Sequence, residues 1–246
     1  MAVNLDAAAL DASCDVLVVG GGMEGVAAAW AAARRGHRVR LLEETDWLGG
    51  QITSQGVAAL DEHPHIETFG GTRSYYGLCE AIRDHYRALA GHLQEPLNPG
   101  RCWVSRLGFE PRVAVDAINH LLAETIQAGR LSVFLRTKAV KARMDGDQVL
   151  DITAIKLDSG RAVRFAFAYV LDVTELGDVL PLTGTEHVVG AESVSRTNEP
   201  HAQPDEAKPY CVQSCTHTFA LERRPEGESH RIPQPTRYEY YRDRQP

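Results

Sequence analysis

An apolar run that stops at three glycines constrains this chain more than any other feature. Residues 16–19 read Val-Leu-Val-Val, and Gly20, Gly22 and Gly25 follow with the spacing GxGxxG. An alanine-rich helical pattern comes next, and a second apolar run at residues 39–42 ends in the acid Glu43. This order of strand, glycine turn, helix, strand and acid is typical of the half-domain that binds a dinucleotide in α/β folds.

Each part of this unit has its own physical role. We expect Gly20 to allow the tight turn, Gly22 to let the backbone approach a pyrophosphate, and Gly25 to let the helix pack closely on the strand. The helix N-terminus offers free N–H groups and the positive end of the helix dipole to phosphates. Glu43 is placed to accept hydrogen bonds from ribose hydroxyls, and its charge disfavours the 2′-phosphate of NADP.

Composition excludes several classes of partner. Of the 246 residues, 43% are hydrophobic and 24% charged, which is ordinary for a globular protein. A formal net charge of −7 argues against nucleic acid or an anionic membrane as the main partner. No apolar run reaches the roughly 18 residues of a membrane span, and no signal-peptide pattern is present. The five cysteines are scattered and odd in number, so we expect reduced thiols, no metal site and a cytoplasmic location.

Periodicity and turn residues divide the chain into five regions. They are a lead-in at 1–13, a first βαβ segment at 14–60, an inserted loop and helix region at 61–112, the remainder of the binding domain at 113–195, and a partial substrate domain or tail at 196–246. Helical patterns cover 75–90 and 113–128. A three-stranded meander is predicted at 138–144, 149–157 and 161–168, then a more buried strand at 169–173 and a late strand at 210–221. The sequence therefore predicts an α/β fold, with a Rossmann-like parallel sheet joined to a β-meander.

In detail the chain resembles the FAD-dependent oxidoreductase family, relatives of the glutathione-reductase-like flavoproteins that have two dinucleotide-binding domains. The stretches that carry the resemblance are VLVVGGGMEGVAAAWAAARRGHRVRLLEE, ETDWLGGQITSQGV, DEHPHIETFGGTRSYY, NPGRCWVSRLGFEPRVAV and VLDVTELGDVLPLTGTEHVVGAES. They cover most of residues 15–195. The resemblance implies FAD as the cofactor.

The resemblance also implies a role for individual residues. Those expected at FAD are Gly20, Gly22 and Gly25 at the pyrophosphate, Glu43 at the adenosine ribose, Gly49, Gly50 and Gln51 along the diphosphate and ribityl path, Val140 at the adenine through its backbone, and Thr174 and Gly177 in the closing turn. The usual pattern of that turn is Ala-Thr-Gly-x-Gly-Asp. In this chain Glu175 stands where the first of those glycines is usual.

Two histidines are the candidates for catalysis. His63 and His65 lie in a long loop between residues 51 and 74, beside Glu62 and Glu67. One interpretation is a general base or a substrate-orienting group over the flavin. The other is a solvated polar loop with packed imidazoles.

These observations predict an oxidoreductase that transfers a hydride from a small organic substrate to FAD. No segment after residue 200 matches the late motif that binds the ribityl chain and the flavin ring. We therefore expect a fragment, or a chain whose flavin site is completed by a second subunit. Two alternatives stay open: a non-catalytic nucleotide-binding subunit that needs a partner chain, and an NAD-binding dehydrogenase-like module.

Overall fold

Strand, turn and helix follow one another around the glycines as the sequence predicts. The computed structural model describes residues 5, 9–10, 13–63, 65–89, 97–222, 224–228 and 233–244. Its strands are β1 (Ala9–Leu10), β2 (Cys14–Val19), β3 (Val39–Leu42), β4 (Leu131–Phe134), β5 (Thr137–Asp145), β6 (Gln148–Lys156) and β7 (Arg161–Asp172). Its helices are α1 (Met23–Arg34), α2 (Arg73–Leu89), α3 (Pro111–Gln127), α4 (Val179–Thr183), α5 (Val194–Thr197) and α6 (Tyr238–Arg242), and Gly50–Ile52 form a short 3₁₀ turn.

The strands form one sheet in the order β4-β3-β2-β7-β6-β5, with β1 also paired to β7. Strands β4, β3, β2 and β7 run parallel, whereas β5, β6 and β7 form an antiparallel meander. The long strand β7 therefore belongs to both parts of the sheet. The predicted fold class, a Rossmann-like parallel sheet with a three-stranded meander, is confirmed.

Strand β7 replaces two strands that the sequence predicts separately, 161–168 and 169–173. No glycine or proline interrupts residues 161–172, so nothing in the chain forces a break there. The expectation of a more buried second part is wrong, since Tyr169 is 72% exposed and Leu171 39% exposed. In the described part of the chain, residues 167–172 pair with β2 on one edge and with no strand on the other, because β6 pairs only as far as Ala166.

The sheet lies between two apolar clusters. Val18, Val39 and Leu41 face helices α1, α2 and α3, where Val26, Ile82 and Ile118 are fully buried. Leu17, Val19 and Leu42 face the meander, where they meet Ile152, Phe165 and the first residue of α4, Val179. Alternate residues of a strand point to opposite faces, so the continuous apolar runs of β2 and β3 are those of strands buried on both sides.

The C-terminal part differs from the expectation. The chain divides into two compact units, Met1–Thr216 and His217–Pro246. The predicted strand at 210–221 is wrong, because residues 211–222 have no regular secondary structure and Tyr210, Phe219 and Leu221 are at least 75% exposed. An alternating apolar pattern forms a strand only where a sheet edge pairs with it. Within the described residues, no helix has the length and apolar character needed to cross a bilayer.

Candidate functional site

The carboxyl ends of β2, β3 and β7 meet at a cleft of about 250 Å³. Ligands of open α/β sheets bind outside the carboxyl ends of the strands, so this is the expected position for a site. The residues that line the cleft come from four segments, namely Val19–Gly22 after β2, Leu42–Thr45 after β3, Thr137–Ala139 at the start of β5 and Val173–Leu176 after β7, together with Gly50, Ser54, Gln55 and Asp178.

Two of the predicted glycines are required by packing. Gly20 has φ +106°, and a methyl group built on it would lie 2.2 Å from the carbonyl oxygen of Val173. A methyl group on Gly25 would lie 1.9 Å from the carbonyl oxygen of Gly20. These distances are far inside van der Waals contact with backbone, so both positions exclude any side chain. They hold α1 against β2 and β7.

Two other glycines face the cleft. A methyl group on Gly22 would meet only the carboxylate tips of Glu24, at 3.2 Å, and Glu175, at 3.4 Å. Gly50 has φ +53°, and a methyl group there would lie 3.0 Å from Glu175 Oε1 and 3.1 Å from the Cα of Gly22. Gly22 is also the N-cap of α1, and no side chain caps that helix end. Bare backbone beside an uncapped helix N-terminus suits a diphosphate.

Glu43 lies at the end of β3 and is only 8% exposed. Its Oε2 accepts a hydrogen bond from the Gly21 N–H at 2.7 Å, and its Oε1 accepts one from the Thr45 N–H at 2.7 Å. These two donors fix the carboxylate beside the glycine turn. Each oxygen keeps acceptor capacity for a ribose hydroxyl, because a carboxylate has about four lone-pair sites.

Acidic side chains dominate the charge around the cleft. Among the residues that line it, Lys138 is the basic one, and Glu43, Glu44, Glu175 and Asp178 are acids. The Lys138 ammonium lies 2.6 Å from Glu44 Oε2 and 3.5 Å from Asp178 Oδ2. The hydrogen bond to Glu44 raises the pKa of Lys138, so this cation stays charged and engaged with two carboxylates.

The turn after β7 is locked by Asp172 and Thr174. Asp172 Oδ1 accepts hydrogen bonds from the N–H and the hydroxyl of Thr174, at 3.1 and 2.8 Å, and its Oδ2 accepts one from the Val179 N–H at 2.9 Å. The Thr174 hydroxyl oxygen in turn accepts the Asp178 N–H at 2.6 Å. Gly177 adopts φ +67° in this turn. Sequence reasoning missed Asp172, although an acid at the end of the last strand was the available signal.

A second cavity of about 520 Å³ has Gln51 in its lining, and this residue follows Gly50 of the cleft in sequence. Its other walls are residues 57–61, 100–104 and 108–109. Asn98 pins one wall: its Nδ2 donates to the Cys102 carbonyl at 2.8 Å, and its Oδ1 accepts the N–H groups of Cys102 and Gly108 at 3.1 and 2.8 Å. Trp103 is held 93% exposed on this wall. This cavity was not predicted from the sequence, where the Asn98-Pro99-Gly100 turn is its local signal.

The candidates not yet placed lie outside the cleft lining. Val140 follows the last β5 residue that lines the cleft, at a register shift between Ala139 and Lys141. His63 and His65 are exposed, with ring centroids 6.1 Å apart, and His65 stacks on Phe69 at 5.6 Å. Neither histidine lines the cleft or the second cavity. Within the described residues, no three metal-binding side chains cluster.

The acid beside the two histidines is the better connected group. Glu62 accepts hydrogen bonds from the Tyr75 hydroxyl and, at 2.8 Å, from the Ser105 hydroxyl. Burial raises the pKa of Glu62. This carboxylate therefore ties the loop around Glu62 to α2 and to the loop that walls the second cavity. This linking role of Glu62 was not predicted from the sequence, in which Glu62 is a neighbour of the two histidines.

Curated relatives match short stretches of the chain. Sarcosine oxidase subunit alpha from Rhizobium meliloti (strain 1021) is 33% identical over 104 residues, which are 33% of this chain and 10% of that protein. Cinnamate reductase from Clostridium sporogenes is 55% identical over 42 residues, which are 17% of this chain and 6% of that protein. The chain thus spans about a tenth or less of the length of these relatives.

A solved structure and a family model cover more of the chain. Glycerol-3-phosphate dehydrogenase from Bacillus halodurans, complexed with FAD, matches with a TM-score of 0.47 and 12% identity over 72% of this chain and 38% of that one. The family model described as FAD dependent oxidoreductase matches residues 15–245. The chain therefore belongs to the family of FAD-dependent oxidoreductases, and its cofactor is FAD.

Proposed function

We propose that this chain holds FAD for an oxidoreductase that takes a hydride from a small organic substrate. The observation that carries the proposal is the floor of the cleft, where Gly22 and Gly50 present bare backbone beside the uncapped N-terminus of α1. The family assignment favours FAD over the NAD alternative. The narrower relation to glutathione-reductase-like flavoproteins stays a prediction.

The roles of the residues follow from their positions. We assign Gly22, Gly50 and the first turn of α1 to the diphosphate, and Glu43 to the adenosine ribose. Gly20 and Gly25 shape the turn through packing, and the lock between Asp172 and Thr174 holds the closing turn in place. Bound FAD supplies a ring system that accepts a hydride. The part of the protein is to bind FAD and to position that ring.

The second cavity is the proposed space for the flavin ring and substrate, because Gln51 in its lining directly follows Gly50 of the cleft in sequence. Relatives named as a sarcosine oxidase subunit and a cinnamate reductase support a small organic molecule as the substrate class. His63 and His65 remain catalytic candidates only from the sequence. We propose a cytoplasmic setting on the same sequence grounds.

A nucleotide-binding subunit that needs a partner is the second candidate function. The observation that favours it is the edge of β7 at residues 167–172, which has no strand partner on one side within the described residues. Tyr169 and Leu171 expose apolar surface there. Open strand edges pair readily with an added strand, so another segment or chain could complete the sheet and the flavin site.

Ligand titration tests the first proposal. The purified chain is titrated with FAD, ADP and FMN by isothermal titration calorimetry, and the spectrum of retained flavin is recorded after gel filtration. We expect FAD and ADP to bind and to compete, and FMN, which lacks the adenylate half, to bind more weakly. Absence of binding by both FAD and ADP would falsify the assignment of the cleft.

The same titration separates the two candidate functions. If this chain carries the pocket for the flavin ring, FAD should bind at least about tenfold more tightly than ADP, which corresponds to 1.4 kcal/mol. Equal affinities for FAD and ADP would mean that this chain makes no favourable contact with the flavin half of FAD. That outcome supports the subunit that needs a partner.

A further inference from the structure

Glu175 is an acid whose carboxylate lies close to both of the glycines that face the cleft. Its Oε1 lies 3.4 Å from the position of a methyl group on Gly22 and 3.0 Å from that of a methyl group on Gly50. Its side chain is exposed and lines the cleft. The carboxylate therefore lies over the surface that we assign to the diphosphate.

The backbone of Glu175 is held firmly, whereas its carboxylate is not. The hydrogen bonds of Asp172 and Thr174 fix the turn on both sides of it. In the part of the chain that the structure describes, the Glu175 carboxylate itself has neither a hydrogen bond nor an ion pair. Rotation about its side-chain bonds can withdraw it from the glycines, but the locked turn keeps it at the mouth of the cleft.

The basic side chain of the cleft lining does not neutralise the Glu175 carboxylate. Lys138, the one basic side chain among the cleft-lining residues, is engaged with Glu44 and Asp178. Glu24 adds a further negative charge in the first turn of α1. A diphosphate that enters the cleft therefore meets the repulsion of Glu175, and among the described residues around the cleft it is the N-terminus of α1 that offsets this repulsion.

We propose that Glu175 sets the affinity of the cleft for diphosphate ligands by opposing them with its charge. The proposal rests on the dinucleotide-binding function proposed above. It makes Glu175 a specificity-determining residue, which discriminates among adenosine ligands by the negative charge of the phosphates that their ribose carries. The affinity for adenosine, which has no phosphate, should not depend on the charge of Glu175.

Binding of ADP and adenosine to wild type, Glu175→Gln and Glu175→Ala tests this by isothermal titration calorimetry. We expect Glu175→Gln to bind ADP about tenfold more tightly than wild type and to bind adenosine unchanged. The gain should shrink as salt rises from 0.01 to 0.3 M, since the Debye length falls from about 30 Å to below 10 Å. Glu186→Gln, at an exposed position outside the cleft lining, makes the same change in net charge and should leave ADP binding unchanged.

Three outcomes contradict the proposal. Equal or weaker ADP binding by Glu175→Gln would remove the opposing role from this charge. A gain in Glu175→Ala alone would show that the bulk of the side chain, and not its charge, limits binding. If no variant and no wild-type protein binds ADP, the dinucleotide-binding function itself fails; the first two outcomes leave that function intact.

Discussion

Glycines with one spacing have two different physical roles in this protein. The sequence predicts close packing at Gly25 and ligand approach at Gly22, and the structure gives each role a measurable basis. A methyl group on Gly25 would overlap backbone, whereas one on Gly22 would meet only movable carboxylate tips. Gly22 also has φ −58°, which any residue adopts. The fold would therefore accept a side chain at Gly22, and it is ligand binding that requires a glycine there.

Substitution of these two glycines by alanine should separate stability from binding. Gly25→Ala must displace the backbone at Gly20, and overpacking of this kind costs about 1–3 kcal/mol, or roughly 2–12 °C in Tm. Gly22→Ala should keep its Tm within about 2 °C, yet weaken ADP binding about tenfold because the methyl group blocks the diphosphate. Thermal denaturation and calorimetry on both variants measure the contrast. A large loss of Tm in Gly22→Ala would show that this glycine too is a packing residue.

Elements with a strong local pattern were predictable, and elements that depend on distant partners were not. Helices α2 and α3 and strands β5 and β6 lie within about two residues of their predicted bounds, because periodicity and glycine turns mark them in the sequence. Residues 169–173 and 210–221 also have the apolar pattern of buried strands. Burial, however, needs a segment from elsewhere in the chain to pack against them, and the local sequence does not encode that segment. The second cavity and the position of Glu175 at the mouth of the cleft likewise arise from contacts between distant segments.

Glu62 links three elements, and its charge should make their stability depend on pH. Burial raises its pKa in the folded state above its ordinary value. An acid with a raised pKa contributes stability below its unfolded pKa and loses it as the pH rises through the folded pKa. Glu62→Gln stays neutral and can still bond Tyr75 and Ser105. We therefore expect the variant to exceed wild type in Tm by about 2 °C at pH 7.5 and by less at pH 4.5.

Melting curves at several pH values check this expectation. Glu124→Gln in α3 is the matched control, because Glu124 is exposed and its substitution should leave the pH profile unchanged. If Glu62→Gln were less stable than wild type at every pH, the charged form of Glu62 would be the stabilising one.

Across the whole molecule, the buried hydrophobic residues and the cleft belong to the same unit. Every hydrophobic side chain that is buried in the described residues lies at or before Val179. The sheet, the two apolar clusters and the residues that line the cleft all lie within Met1–Thr216. Because burial of apolar surface is the main favourable contribution to folding, this unit should account for nearly all of the stability.

A chain that ends at Thr216 should therefore fold and bind as the longer one does. We expect its Tm to fall by no more than about 2 °C and its affinity for ADP to stay within about twofold. A chain that ends at Asp172 is the control: it lacks the turn at Val173–Asp178 and buried Val179, whose N–H donates to Asp172. This shorter chain should lose ADP binding and cooperative melting. If the chain ending at Thr216 also lost them, the stability of the fold would not reside in the buried core of Met1–Thr216 alone.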